Sequence, residues 1–482
     1  MVEPFAELLA THFEWLAIYS EGRAFPLRAD EIEIDGSPNK TLISLPGERG
    51  FGTWRVHEIS EEEGEVILGL SRNLGTERQT VRLIPRTPAS ELAREVEFAR
   101  LLRANEIAKL VETNFPAIRA TRVALNESNG RMANIIVESP NKEQTAVLAD
   151  VTNGLTAENL LASAFIWLDR MNARRKKPVQ AIWIVVERKQ ARALRRLHTL
   201  LRRGARSSVT IIEISDEKLN VLDEWTLSSV WREKPRKLSI PSEVRLSKTL
   251  TQIIEIEPDA IDTIRSKQGE TARFNGLPFA RIRSLMVHER SWFGVGKQRR
   301  PLLPENIQDL AGLVDELDRF RRHDSPNPRH RYYRMAPELW LESILKRDIR
   351  RLDANLILSP IYNQFRSSTD KIDLLALRRD GRLVLIELKT SPDREAVFQA
   401  ADYWRKIELQ RRRGVLAKAR LFGELQIKDE PTLVYIVAPA LSFHHKFEYF
   451  ARILAPEIEL WRFELHEEWR REIKVIARHD YR

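Results

Sequence analysis

Cysteine is absent from the 482 residues, which excludes disulfides and thiolate metal sites and fits a reducing compartment, so the expected location is cytoplasmic. No apolar run approaches the roughly 18–20 residues of a bilayer-crossing helix, and no membrane partner is expected. The opening MVEPFAELLATHFEW carries an early glutamate and no basic stretch, unlike a secretory leader. A phosphate-binding loop is missing too. GVGK at 294–297 has Ser291 where that pattern needs its first glycine and Gln298 where it needs Ser or Thr.

What is present is 43% apolar and 31% charged residues, enough for packed cores over two to four domains, with a net charge of +10. A basic excess is compatible with a polyanionic partner. It gathers at Arg174-Arg175-Lys176-Lys177, along Arg192 to Arg206, and at Arg411-Arg412-Arg413 with Lys418 and Arg420. Any one of these runs reads equally well as a solvated helix end.

Residues 1–88 are expected to form a small β-rich domain, with strand-like runs TWRVHEI, EVILGL and TVRLIPR separated by turns. Ser90 then caps a helical run. From there an order of elements occurs twice: helix, three strands, helix, strand, helix, strand. The spacings are similar, which points to an internal duplication of two α/β units, 89–235 and 329–482. Between them, 236–328 reads as a helical and irregular connector ending at the loop SPNPRHR.

The stretch IDLLALRRDGRLVLIELKT, 372–390, is a hairpin whose strands end in charge. Glu387 and Lys389 are two apart on a strand and leave the same face, while Leu388 points to the other. A two-residue turn would set Asp373 opposite Leu388. A three-residue turn with Gly381 in the left-handed position sets Asp373 opposite Glu387 instead. Two facing carboxylates invite a hard divalent cation, Mg²⁺ or Mn²⁺, and a neighbouring ammonium can orient water or neutralise a phosphate oxygen. That combination suits metal-assisted phosphodiester hydrolysis. The plain alternative is a solvated ion cluster on a sheet face.

Asp373 followed by Glu387-Leu388-Lys389 on a hairpin resembles the PD-(D/E)XK nuclease superfamily. Gln399-Ala-Ala-Asp-Tyr403 on the following helix is similar to the Q-x-x-x-Y motif of its RecB-like branch. The resemblance spans about 330–465. It implies a restriction-endonuclease-like αβββαβ fold, with Asp373 and Glu387 as metal ligands and Lys389, Gln399 and Tyr403 as further catalytic residues. It also implies an additional acid from the preceding helix, where Glu342 competes with Glu338, and Gln364 lies on the strand before Asp373. The proline of the superfamily's name is replaced by Lys371-Ile372. His444 and His445 read as surface residues.

In the first copy Ala149 stands where Glu387 does, Val151 where Lys389 does, and Ala133 or Asn134 near the Asp373 position, while Asp150 falls on the opposite face. The copy is expected to be degenerate. The expected function is a divalent-metal-dependent DNA nuclease serving restriction, defence or repair, compatible with a homodimer or a separate motor or defence partner. Its rivals are a catalytically silent nucleic-acid-binding or assembly module and a nuclease for RNA, since no reader of the 2′-hydroxyl stands out.

Overall fold

Alternating apolar residues dominate 14–85, and these strands pair into a seven-stranded antiparallel sheet. Along Glu65–Arg72, Val66, Leu68 and Leu70 are buried and join Trp15, Ile43, Trp54, Val81 and Leu83 in one core. Beyond the three strands expected from the sequence, Glu14–Tyr19, Ala24–Arg28, Ile34–Ser37 and Lys40–Gly47 complete the sheet.

The computed structural model describes all residues except 1–6, 10, 11, 13, 29, 30, 33, 38, 39, 48, 49, 63, 86–88, 174–178, 216, 217, 236–245, 267, 268, 286, 287, 297, 360–371 and 482. The basic run 174–177, Gln364 and Lys371 lie outside the described residues. The chain divides into two units, Met1–Arg195 with Ser207–Glu224, and Arg196–Arg206 with Trp225–Arg482. No described helix is long and apolar enough to cross a membrane.

In the first unit, helix Ala89–Asn114 leads into three antiparallel neighbours, Arg119–Leu125, Met132–Glu138 and Gln144–Asp150. Helix Ala157–Asn172, capped by the Thr156 side chain, then crosses to Ile182–Glu187, which runs parallel to Gln144–Asp150. Val209–Ser215 adds a further parallel strand. A parallel neighbour requires such a crossover, and the helix supplies it.

The second unit has the same succession. Helix Pro337–Arg347 precedes Leu356–Leu358, Leu374–Arg378 and Leu383–Leu388, again antiparallel. Helix Ala396–Arg412 crosses to Leu433–Pro439, and Leu460–Leu465 follows in parallel. Leu383–Leu388 is buried throughout. Its Val384, Ile386 and Leu388 pack with Leu374, Ala376, Trp340, Leu341 and Leu345. Each fully buried leucine of this size contributes roughly 1.5–3 kcal/mol, so the scaffold stands on apolar packing rather than on the charges at its strand ends.

The stretch 236–328, expected as a helical and irregular connector, holds a five-stranded antiparallel sheet over 261–301. Helices Lys248–Ile256 and Ile307–Phe320 contribute Leu250, Leu310 and Val314 to its core. Arginine obscures these strands in the sequence. IDTIRS, GETARF and LPFARIRSL interleave Arg with few apolar residues, and only the inward half, such as Ala272, Ala280, Ile282 and Phe293, reads as core.

Candidate active site

The hairpin turn decides which side chains meet. Arg378 N donates to Arg382 O and Gly381 N donates to Arg378 O, both at 2.8 Å, and Gly381 has φ +86°. Any other residue would be strained there, by roughly 1–2 kcal/mol. A Cβ at Gly381 would also lie 3.2 Å from Gln426 O. The register pairs Leu374 with Ile386 and Leu377 with Leu383. Carried one step on, it sets Asp373 opposite Glu387, as the three-residue turn requires.

Asp373 Oδ2 accepts from Leu388 N at 2.8 Å, which fixes the carboxylate beside the strand end. Lys389 Nζ lies 3.1 Å from Glu387 Oε1 and 3.0 Å from Asp393 Oδ2, and it donates to Gln399 Oε1 at 2.8 Å. Helix Ala396–Arg412 thus delivers Gln399 to the lysine. Tyr403, one turn further, has Lys406 Nζ 5.1 Å from its ring centre. Asp393 was not anticipated from the sequence. It reaches Lys389, four residues earlier, across the short Ser391-Pro392 turn; its Oδ1 accepts from Glu395 N at 2.7 Å.

Burial raises the Glu387 pKa well above the ordinary glutamate value, and the facing Asp373 carboxylate raises it further. Lys389 pulls it down, and Glu338 adds to the rise. Burial works against the charge on Lys389, but Glu387, Asp393 and Glu338 outweigh it and hold the ammonium protonated. The second oxygen of Glu387, Oε2, is buried without a hydrogen-bond partner among the described residues. A buried carboxylate oxygen without a donor, facing a second carboxylate, fits a cation better than it fits a closed ion pair. Among the described residues no group of three or more His, Asp or Glu side chains gathers for a metal.

Glu342 is not brought to this cluster. It is 1% exposed and lies 2.7 Å from Lys346 Nζ and 3.4 Å from Arg273 Nη1. Arg273 in turn binds Asp262 at 2.7 and 2.9 Å. Glu338 and Glu342 share a helix face, but four residues separate them by about 6 Å along the axis. The earlier residue acts on Glu387 and Lys389, and the later one meets Arg273 of the five-stranded sheet. His444 is half-buried in the loop that Ser442 Oγ ties to Thr390 O at 3.1 Å. Burial first, then His445 and Arg394, lowers its pKa.

The matching hairpin of the first unit pairs Ala149 with Ala133. Asp150 is buried, and its oxygens accept from Thr152 N and Oγ1 at 2.8 Å, Leu155 N at 2.9 Å and Gln190 Nε2 at 2.6 Å. Its acceptor sites are occupied in holding the segment that leads into helix Ala157–Asn172.

No protein-family profile and no curated relative matches the chain. Among solved structures, EndoMS in apo form is similar at 11% identity and TM-score 0.15, over 38% of this chain and 83% of that one. A repair endonuclease from Pyrococcus abyssi is similar at 10% identity and TM-score 0.16, over 44% and 94%. The EndoMS–dsDNA2 complex shows 13% identity and TM-score 0.13, over 39% and 84%. Likenesses this faint carry no functional inference, and what the chain does is read from its own side chains.

Proposed function

We propose that the chain is a Mg²⁺- or Mn²⁺-dependent nuclease of the PD-(D/E)XK type that hydrolyses phosphodiester bonds in DNA. In this reading the first α/β layer is a degenerate copy of the same fold. The observation that carries the proposal is the facing pair Asp373 and Glu387, with the unpartnered Glu387 Oε2 and with Lys389 at 3.1 Å.

Asp373 and Glu387 would hold the divalent ion, with water completing its oxygen shell. When bound, such an ion supplies Lewis-acid stabilisation of charge developing on the phosphate. The chain's own groups do the rest. Burial and the facing Asp373 raise the Glu387 pKa, so a divalent ion held there would compete with its proton. Lys389 stays protonated, so it acts as a donor that orients the attacking water or a phosphate oxygen, not as a base. Asp393 and Gln399 fix the Nζ by hydrogen bonds at 3.0 and 2.8 Å, which preorganises the donor before substrate arrives. Apolar packing of Leu388 against the helix on the other face keeps the strand end rigid.

The test is incubation of purified protein with plasmid, linear duplex, single-stranded DNA and RNA, in Mg²⁺ or EDTA. Cleavage of DNA that needs the metal and is lost in Asp373→Ala and Lys389→Ala supports the reading. Metal-independent cleavage, or cleavage undiminished in both variants, sinks it.

A further inference from the structure

Two arginines oppose one another on neighbouring strands of the five-stranded sheet. Arg283 of Leu277–Leu285 pairs with Arg290 of His288–Phe293, and Arg281 pairs with Trp292. Residues paired across an antiparallel ladder, and residues two apart on one strand, share a face, so these four side chains stand together. Ala280, Ile282 and Phe293 have the opposite parity and lie in the core with Leu250, Leu310 and Val314. The arginines therefore occupy the other face, where Thr271, Ile264 and Pro301 are among the neighbours. Asp262, two residues before Ile264, is taken up by Arg273.

Like charges directly opposed across a ladder destabilise it. The Arg281 pKa is lowered by burial first and then by Arg283 and Arg299. Arg299, from the loop after the strand, thus adds a further guanidinium to the group. The Arg283 guanidinium carbon lies 5.9 Å from the Trp292 ring centre, and its buried Nε has no hydrogen-bond partner among the described residues. A polyanion would relieve this repulsion and supply an acceptor for Arg283 Nε. The planar forks of arginine match phosphate oxygens better than lysine would, and an indole among them offers a stacking surface.

We propose that this face binds a single nucleic-acid strand, with Arg281, Arg283, Arg290 and Arg299 on its phosphates and Trp292 stacked on a base. The single strand is the occupant because the indole can stack only on a base freed from a duplex. The proposal goes beyond the nuclease reading and does not depend on cleavage.

The test uses the full chain carrying Lys389→Ala, in EDTA, with fluorescein-labelled single-stranded DNA of about 20 nucleotides and the corresponding duplex, long enough for one such site. Anisotropy is followed over a salt series. The double variant Arg281→Ala/Arg283→Ala is expected to bind the single strand at least about tenfold more weakly, with a salt slope shallower by about 1.4. Trp292→Ala should weaken it about fivefold or more at unchanged slope, and Trp292→Phe should restore much of the loss. Arg452→Ala, which removes an exposed arginine paired with Glu448 elsewhere, should change neither. Unchanged single-strand affinity in both the arginine and tryptophan variants, or a loss confined to the duplex, overturns the proposal. Since Lys389→Ala removes chemistry from every arm, a natural chain that never cleaves leaves this test readable, and the two proposals fail separately.

Discussion

At the scale of single residues, Glu387 is the group whose environment is most out of balance. Its pKa is raised on folding from the ordinary 4.5, so the folded state binds this proton more tightly than the unfolded chain does. The stability it contributes is present at low pH, below the ordinary value, and is lost as pH rises through the raised one. Glu387→Gln should therefore flatten the loss of stability of the metal-free protein as pH rises from 4 to 8. At pH 4 it should change little. Thermal melts of both proteins in EDTA across pH check this. A divalent ion should raise the melting temperature of the natural protein more at pH 8 than at pH 5, because it competes with the proton, and should not shift the Gln variant.

Helix Pro337–Arg347 separates two roles that the sequence alone leaves entangled. Glu342→Ala should cost about 3–5 kcal/mol in chemical denaturation, since it leaves Arg273 and Lys346 buried without their shared carboxylate. Glu338→Gln should cost far less stability but lower cleavage, because its charge acts on Glu387 and Lys389. The opposite pattern would return Glu342 to the site. In the hairpin, Gly381→Ala should destabilise by about 1–2 kcal/mol. That corresponds to a melting shift of several degrees and weaker metal-induced stabilisation, because the turn sets the register that opposes the two carboxylates. These elements also show what could be read in advance. Period-two alternation and turn chemistry are local, so the sharing of a face by Glu387 and Lys389 and the bulged turn at Gly381 are legible from the chain alone. Whether Glu338 or Glu342 meets the hairpin depends on how far the helix slides along the sheet, which no periodicity encodes. Asp393 lies four residues from Lys389, and its contact is within reach of a local reading of the Ser391-Pro392 turn. The five-stranded sheet is hard to read from the chain because arginines interrupt the outward half of its alternation.

At the scale of the whole molecule, two α/β layers of like connectivity carry unlike chemistry. One has Ala149 opposite Ala133 and spends Asp150 on local hydrogen bonds; the other opposes Asp373 to Glu387. The strand cores are apolar in both, with Ile135, Val147 and Ala149 in one and Leu374, Ile386 and Leu388 in the other. The apolar strand cores form without the charges in the first unit, and in the proposed reading the charges of the second serve catalysis. It follows that Asp373→Ala should abolish cleavage by the full chain rather than halve it, leaving no residual turnover from the first unit in a gel assay with prolonged incubation. Residual metal-dependent cleavage at a substantial fraction of the natural rate would assign chemistry to the first unit.

The central claim is that a divalent cation sits between Asp373 and Glu387. Its most direct test is an anomalous difference map from crystals of the full chain grown or soaked with Mn²⁺. A peak is expected about 2.0–2.4 Å from oxygens of both carboxylates, with Glu387 Oε2 among them and the peak gone in Asp373→Ala. A map with Mn²⁺ bound elsewhere and no density between these two side chains would contradict it.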